Sequence, residues 1–304
     1  MPVADANTLF QAIGTLAENA AAQADFNQVL ASRVLEIEKL VRRLGRPAST
    51  FYAGDHLAVT RVLERFLMYA DTRDLGITPH LLTNGEWEPS ITAFLLDSIK
   101  PGMTMVDIGA NIGYFTLLAA SAVGEKGTVY AFEPLPRNYE LLQRNVIVNW
   151  YSGRVRCFPY ALLDQSKQID LHTTSSMPSS SSLFLTDVEG VPVHLSDAVS
   201  IRAKTLDEMV RERVDLMKID AEGSEPFIFE GMKDVLARSP GVKIVMEFHI
   251  PALQSAGQDP KQFIERLTGL GFSIRQLTWD GHILEGNDMN LFAYPLNTLL
   301  LSKP

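Results

Sequence analysis

The residues best suited to chemistry lie where apolar runs of the sequence end. The segment MVDIGANIG (105–113) carries Asp107 at the end of such a run, and glycines follow at 109 and 113. A glycine lets the backbone approach a ligand more closely than a residue with a Cβ, and a helix that begins at such a turn directs free N–H groups at the ligand. We therefore predict a ligand-binding turn formed by Asp107, Gly109, Ala110, Asn111 and Gly113.

The spacing of these glycines differs from the G-x-G-x-x-G of a dinucleotide site. A carboxylate at Asp107 would repel a pyrophosphate, but it suits an ammonium group or a hydroxyl donor. Glu133 ends the next apolar run, 24 residues after Gly109, where nucleoside-binding sheets place an acidic residue on the ribose hydroxyls. S-adenosylmethionine has a ribose, an ammonium and a sulfonium and no phosphate, so we predict it as the cofactor. The alternative is that both carboxylates only cap the helices that follow.

A second acidic group lies in DLMKIDAEGSE (215–225). Carboxylates at a strand-to-helix turn are poor packing choices, so we expect Asp220 and Glu222 to face the crevice beyond the sheet and to take part in catalysis. Glu225 is expected to complement the dipole of the next helix. His249 follows the next strand, and we predict that it accepts the substrate proton, although a structural role is the alternative. Asp220, Glu247 and His249 offer ligands for a divalent ion, but we expect no metal.

These residues require a sheet with parallel strands. From Thr104 onwards, β-branched runs alternate with helical stretches, which is typical of an α/β fold. Strands are predicted at 104–109, 128–133, 154–160, 214–220, 242–248, 271–278 and 289–294. Helices are predicted near 112–123, 136–149, 205–211, 225–237 and 260–270. The stretch 165–203 interrupts the alternation, and we interpret its serine-rich part, 173–182, as an insertion that forms a mobile lid.

Three parts are predicted along the chain. Residues 1–46 form a long helix, with a heptad seam over residues 9–44 that predicts self-association, packing on its own domain or docking to another protein. Residues 47–85 form a leader with extended runs at 56–63 and 66–69. Residues 86–304 form the α/β domain, which begins with a helix over 87–99.

Composition narrows the functional class. The 304 residues are 46% hydrophobic with a formal charge of −9, which disfavours nucleic acid as a partner. Cys157 is the single cysteine, so no intrachain disulfide is expected. The start lacks the pattern of a signal peptide and no apolar run is long enough to span a membrane, which predicts a cytoplasmic protein.

Four segments together resemble one family. The chain resembles the FkbM-family S-adenosylmethionine-dependent methyltransferases in VDIGANIGYFTLLAA, VYAFEPLPRNYELLQRNVIVN, TLDEM and DLMKIDAEGSE. The resemblance covers about residues 86–295. It implies a Rossmann-like class I methyltransferase fold, with a seven-stranded, mostly parallel sheet, an antiparallel last hairpin and helices on both faces.

The resemblance also implies particular roles for the site residues. The methionyl part of the cofactor would be lined by Asp107, Gly109, Asn111 and Gly113. Its ribose would be lined by Glu133 and its adenine by Asp164. Asp220 and Glu222 would face the transferred methyl group and the acceptor.

The activity implied is O-methylation of a hydroxyl on a sugar or a natural product. The leader from Tyr69 to Trp87 resembles that of members found beside glycan-assembly enzymes, which favours a sugar hydroxyl. Trp87 and the serine-rich loop are candidates to close over the sugar, with core packing as the alternative for Trp87. The alternative functions are methylation of an amine, a carboxylate or RNA, a non-catalytic scaffold, and an oxidoreductase.

Overall fold

The computed structural model describes residues 50–171 and 198–303, which lie in one unit spanning Ala48–Pro304. Within these residues the strands, in chain order, are β1 (Phe51–Gly54), β2 (Leu57–Val62), β3 (Phe66–Asp71), β4 (Thr104–Ile108), β5 (Thr128–Phe132), β6 (Val155–Phe158), β7 (Tyr160–Leu162), β8 (Lys167–Leu171), β9 (Val199–Lys204), β10 (Leu216–Ile219), β11 (Lys243–His249), β12 (Ser273–Leu277), β13 (Ile283–Leu284) and β14 (Leu296–Ser302). The predicted N-terminal helix with its heptad seam and the serine-rich loop lie outside the described residues.

The helices in the same residues are α1 (Ile77–Asn84), α2 (Pro89–Ser98), α3 (Tyr114–Val123), α4 (Pro136–Val148), α5 (Leu206–Met209), α6 (Glu225–Glu230), α7 (Lys233–Arg238), α8 (Ile250–Ser255) and α9 (Pro260–Gly269). The α/β alternation predicted from Thr104 is therefore confirmed. The predicted helix over 225–237 is divided in two at Gly231, where a Cβ would lie 2.0 Å from the carbonyl oxygen of Leu163.

The central sheet has the strand order β13-β12-β14-β11-β10-β4-β5-β6. The five strands from β11 to β6 are parallel, whereas β14 pairs antiparallel with both β11 and β12. This is the predicted Rossmann-like methyltransferase architecture with its antiparallel last hairpin. The two-residue strand β13 adds an eighth strand at one edge.

Apolar side chains alternate along the strands, so both faces of this sheet are buried. In β4, Met105 belongs to one buried cluster together with residues of α2, α3 and α4. Its neighbour Val106 belongs to a second cluster, with residues of α6, α7, α8 and α9. Because successive side chains of a strand point to opposite faces, the sheet is packed by helices on both sides.

The last strand differs from its prediction. It runs over Leu296–Ser302 rather than 289–294. The side-chain amide of Asn297 donates to the carbonyl oxygens of Leu291 and Tyr294, at 3.0 Å each, and so holds residues 291–294 in a turn. Without the turn that Asn297 forms, these residues would adopt an extended strand. The sequence pattern alone therefore predicted the last strand too early.

Two smaller sheets flank the central one. Strands β1, β2 and β3 form an antiparallel sheet in the predicted leader, and β2 and β3 fall on the predicted extended runs. Strands β7, β9 and β8 form the other sheet, so the predicted strand over 154–160 is divided after Phe158.

Candidate active site

The glycine-rich turn joins three strand ends. Gly109 follows β4 with a φ of +75°, and a Cβ on it would lie 1.9 Å from the carbonyl oxygen of Asp220. The backbone N–H groups of Gly109 and Ala110 both donate to the carbonyl oxygen of Phe132, at 3.0 and 2.9 Å. Glycine at 109 is therefore required by the close approach of β4 and β10 as well as by its backbone conformation.

Glu133 lies at the end of β5 and is buried. Its Oε2 accepts a hydrogen bond from the N–H of Asn111 at 2.8 Å, and its Oε1 accepts one from the N–H of Leu135 at 2.9 Å. Burial raises the pKa of Glu133 to about 7 despite these two bonds. The carboxyl group thus fixes the glycine-rich turn, and each of its oxygens keeps a second lone pair for a ligand.

Asp107 lies deeper than the sequence suggested. Its side chain is fully buried in β4, beneath the turn, and its Oδ2 accepts a hydrogen bond from the hydroxyl of Thr116 at 2.5 Å. Its backbone pairs with Lys218 in the register of β4 and β10. Burial raises the pKa of Asp107. Asp107 supports the site from below and is not among the described residues that line the cleft.

The cleft itself lies beyond the ends of β4, β5 and β10 and holds about 680 Å³, counting the space open at its mouth. Three carboxyl groups line it, those of Glu133, Asp220 and Glu222, together with the backbone of Gly109 and Asn111. None of the described lining residues is a lysine or an arginine. This donor set fits a ligand with hydroxyls and positive charge, such as S-adenosylmethionine, and does not fit a pyrophosphate.

Lys218 is a site residue that the sequence analysis missed. Its ammonium group is buried in β10, lies 2.9 Å from Oδ2 of Asp220 and stands 5.0 Å from the ring centre of Phe115. Although burial opposes the charged form, the carboxylates of Asp220 and Asp107 raise the pKa of Lys218. Burial alone would raise the pKa of Asp220, but Lys218 and a hydrogen bond with Glu247 hold it below its usual value.

His249 forms a pair with Glu222; Glu222 lines the cleft, whereas His249 is not among its described lining residues. The Nδ1 atom of His249 lies 3.2 Å from Oε2 of Glu222, and both side chains are partly exposed. The hydrogen bond with Glu222 raises the pKa of His249 above its ordinary value of 6.5. Glu222 adopts a left-handed backbone conformation with a φ of 48° in the turn between β10 and α6.

Two further glutamates surround Asp220. Glu247, in β11, hydrogen-bonds to Asp220, and burial raises the pKa of Glu247 well above its usual value. Asp220, Glu222 and Glu247 each offer a ligand atom, and these atoms lie within 4.8 Å of one another. Glu88, at the start of α2, also approaches this group, and burial raises its pKa to about 7. Glu88 was not recognised from the sequence.

The remaining predicted residues lie elsewhere. Glu225 accepts a hydrogen bond from the N–H of Ala221 at 3.0 Å, so it holds the turn before α6. Asp164 is exposed and pairs with Lys167 at 3.6 Å, so the structure does not bring it into the cleft. Trp87 packs against the ring of His80 at 5.0 Å and against the core, as in the alternative interpretation.

Ala110 and Gly113 also lie behind the cleft rather than in its lining. Ala110 is buried, and Gly113 precedes α3 with a φ of +96° and packs against Leu142. Within the part of the chain that the structure describes, no helix combines the length and apolarity needed to cross a membrane.

The strand order and this cleft define a Rossmann-like methyltransferase fold, and the comparisons with known proteins identify the family. Residues 107–274, more than half of the chain, match the methyltransferase FkbM domain, so the chain belongs to the FkbM methyltransferase family. This confirms the resemblance seen in the sequence.

Known relatives are similar over part of their length. The 31-O-demethyl-FK506 methyltransferase FkbM of Streptomyces tacrolimicus is 29% identical, over 50% of this chain and 67% of the relative. Methyltransferase 1 of Beauveria bassiana is 29% identical, over 43% of this chain and 58% of the relative. The chain thus spans less than two thirds of several curated relatives. The crystal structure of methyltransferase FkbM from Methylobacillus flagellatus matches 69% of this chain and 50% of that one, with 15% identity and a TM-score of 0.41.

Proposed function

We propose that this protein is an S-adenosylmethionine-dependent O-methyltransferase that acts on a hydroxyl group of a sugar or a sugar-bearing natural product. The observation that carries this proposal is the cleft at the carboxyl ends of the parallel strands, where three carboxyl groups and a glycine-rich turn meet without a lysine or arginine among the described lining residues. The relative from Streptomyces tacrolimicus is named for a methyl transfer to an oxygen, which supports a hydroxyl acceptor.

The cofactor-binding roles follow from the geometry of the lining. Glu133 would accept hydrogen bonds from the ribose hydroxyls through the lone pairs that the turn leaves open, and Gly109 and Asn111 would contact the methionyl part. Asp220 would face the positive charge of the ligand. Tyr160 and Leu162 line the same cleft beyond Glu133, and we assign the adenine to this part rather than to Asp164.

S-adenosylmethionine supplies an electrophilic methyl group, so the acceptor oxygen gains a C–O bond, the C–S electrons return to sulfur and the hydroxyl proton needs a base. We assign that role to His249, and its contact with Glu222 supports the assignment, because Glu222 engages Nδ1 and leaves Nε2 as the nitrogen that takes a proton. A positioned base contributes about 10²–10⁴-fold to the rate. Asp220 and Glu222 orient the reactants, and the burial of the cleft excludes water.

Calorimetric titration with S-adenosylmethionine and, separately, with NAD tests the proposal. We expect micromolar binding of the first and none of the second. Glu133→Gln should weaken binding at least tenfold, because an NH₂ group replaces one carboxyl oxygen and can accept a hydrogen bond from neither the backbone N–H nor a ribose hydroxyl. Glu125→Gln is the matched control, since Glu125 is exposed in the loop before β5, at the opposite end of the strands. Binding of NAD in place of S-adenosylmethionine would overturn the proposal.

A further inference from the structure

Three carboxyl groups meet near the ends of β10 and β11. Asp220, Glu222 and Glu247 each present a ligand oxygen, and the three oxygens lie within 4.8 Å of one another. Oxygens that bind one divalent ion at about 2.1–2.4 Å lie at most about 4.2–4.8 Å apart, because two opposite ligands are separated by twice the bond length. The group therefore has the dimensions of a coordination shell for a hard divalent cation such as Mg²⁺, Mn²⁺ or Ca²⁺.

A cavity lies beside this group. It is formed by residues of α2, β10, β11 and β14 and holds about 320 Å³, counting the space open at its mouth. Its charged lining residues are Glu88, Lys218, Asp220 and Glu247, and we call it the Glu88 cavity. Because one water molecule occupies about 30 Å³ in the liquid, the Glu88 cavity has room for an ion together with some of its water ligands.

Two carboxyl oxygens at the Glu88 cavity are buried without partners. Among the residues that the structure describes, neither Oε2 of Glu88 nor Oε2 of Glu247 has a hydrogen-bond partner. Glu88 is not one of the three clustered carboxyl groups, so its unpaired oxygen is an observation independent of the cluster. Buried polar atoms in proteins are almost always paired, and two unpaired oxygens at one cavity therefore indicate a ligand that pairs with them.

The charges around the Glu88 cavity favour a cation as that ligand. Lys218 is the one lysine or arginine among the described lining residues of the cavity and the cleft, and its ammonium group pairs with Asp220 at 2.9 Å. The carboxyl groups at this place are four, those of Glu88, Asp220, Glu222 and Glu247. Lys218 alone does not balance them, and a divalent ion displaces any proton that its ligands carry.

The ligand set differs from the one considered in the sequence. There, Asp220, Glu247 and His249 were the candidate ligands, and we expected no metal. In the structure Glu222 joins Asp220 and Glu247, while Nδ1 of His249 lies 3.2 Å from Oε2 of Glu222. His249 is thus placed to orient a ligand of the ion, since carboxylates that bind a metal are themselves hydrogen-bonded by a second group.

We propose that Asp220, Glu222 and Glu247 bind one divalent cation between the cleft and the Glu88 cavity, and that Glu88 accepts a hydrogen bond from a water molecule on this ion. Asp220 lines both spaces and Glu222 lines the cleft, so the ion lies next to a methyl donor bound there. An ion at this place would bind and orient the acceptor oxygen. That role rests on the function proposed above, whereas the ion site itself does not.

The test uses the full chain, dialysed against EDTA and then against metal-free buffer. Mn²⁺ is titrated while electron paramagnetic resonance follows the free ion, and Mg²⁺ and Ca²⁺ are then added as competitors. We expect one Mn²⁺ per chain with a dissociation constant below about 10⁻⁴ M, and displacement of Mn²⁺ by at least one of the two competitors.

Glu247→Gln should weaken Mn²⁺ binding at least tenfold, because it removes the charge of a ligand. Glu88→Ala should weaken it roughly tenfold through the lost hydrogen bond to the ion-bound water. Glu88→Gln should bind within a few-fold of the wild type, because an amide oxygen still accepts that bond. Glu225→Gln is the matched control and should bind within about threefold of the wild type, since Glu225 is a buried carboxyl group with an unpaired oxygen outside the cluster.

Circular dichroism shows whether each variant is folded, and the Glu88 pair carries the test if Glu247→Gln is not. The ion site is overturned if the wild type binds no Mn²⁺, or if Mn²⁺ binds equally well to Glu247→Gln and Glu88→Ala. It is also overturned if Glu225→Gln weakens binding as much as Glu247→Gln does, because diffuse negative charge would then attract the ion.

The role towards the acceptor has a separate readout. Water-proton relaxation of the Mn²⁺ complex saturated with S-adenosylhomocysteine should show at least one exchangeable water on the ion, which is the position that an acceptor oxygen would take. A bound Mn²⁺ without such a water overturns the role and leaves the ion site. If Mn²⁺ binds but S-adenosylmethionine does not, the proposed function fails and the ion site stands.

Discussion

Two regions of this molecule bury polar side chains in opposite ways. Where β3 meets α4, Asn145 accepts from the N–H of Tyr69 at 2.7 Å and donates to the carbonyl oxygens of Tyr69 and Ile112, at 3.0 and 2.8 Å. Asn149 makes the equivalent pair of bonds to the backbone of Leu67. The amides at this junction are thus paired by the protein itself.

The cluster at the strand ends is not paired in this way. Asp107, Glu88, Glu225 and Glu247 each keep one buried carboxyl oxygen without a hydrogen-bond partner among the described residues. Because a buried polar atom without a partner lowers stability, the first region stabilises the fold while the second retains a cost in stability. The difference is between buried polar groups that the fold pairs and buried polar groups that it leaves unpaired, and the following variants test it.

Asn145→Ala should have the largest effect on stability. It removes the three hydrogen bonds of a buried side chain and leaves three backbone groups without that partner, so we expect the free energy of unfolding to fall by about 3 kcal/mol. Urea denaturation followed by circular dichroism measures the change. Gln143→Ala, at an exposed position of the same helix, is the control and should have almost no effect. A loss below about 1 kcal/mol would show that the junction does not stabilise the fold as argued.

The strand-end cluster should make stability depend on pH. Burial raises the pKa of Glu225, like that of Glu133, from 4.5 to about 7. A carboxyl group whose folded pKa is raised stabilises the fold below its unfolded pKa and loses that contribution as the pH rises through the folded pKa. We therefore expect the free energy of unfolding to fall between pH 4.5 and 7, by roughly 2–3 kcal/mol for each group.

Glu225→Gln isolates one part of this fall. The amide oxygen still accepts from the N–H of Ala221, while the titrating group is gone, so the pH profile should flatten and the variant should be more stable than the wild type at pH 8. His249 titrates nearby with the same sign, which is why the difference between variant and wild type is the quantity to measure. Parallel profiles for the two proteins would contradict the assignment to Glu225.

The sequence predicted most of the fold because its signals are local. Alternating runs of apolar residues located the parallel strands, and the glycines and carboxylates at their ends located Glu133, Asp220 and Glu222. The misplaced last strand depends on the side chain of Asn297, which folds the preceding residues into a turn, and hydropathy alone does not reveal such a contact.

The missed site residues fall into two kinds. Lys218 had a signal in the sequence, since it is a lysine two residues before Asp220, on the same face of an otherwise apolar strand. Glu88 had none, because it reaches the site from the start of a distant helix through tertiary packing. The sequence also does not predict how deeply Asp107 is buried, because the position of a strand end relative to the cleft depends on how the glycine-rich turn folds back over it.

Glu222→Gln tests whether Glu222 sets the pKa and the orientation of His249 during turnover. The hydrogen bond with Glu222 is the main cause of the raised pKa of His249, so its weakening should move the acid limb of the rate–pH profile to lower pH. Turnover at the optimum should fall about tenfold as the histidine loses its orientation. A steady-state rate–pH series on the variant, with Glu125→Gln as control, measures both. An unchanged acid limb would show that another group accepts the proton.

Asp164→Asn should have the smallest effect, and it tests where the cleft ends. The family resemblance assigned Asp164 to the adenine, yet its side chain is exposed and pairs with Lys167, while Leu162, two residues earlier, lines the cleft. An exposed pair of this kind contributes at most about 1 kcal/mol, so S-adenosylmethionine affinity measured by calorimetry should change less than twofold, against at least tenfold for Glu133→Gln. A fivefold loss in Asp164→Asn would instead show that the bound adenine extends past β7 and that the carboxylate turns inward to meet it.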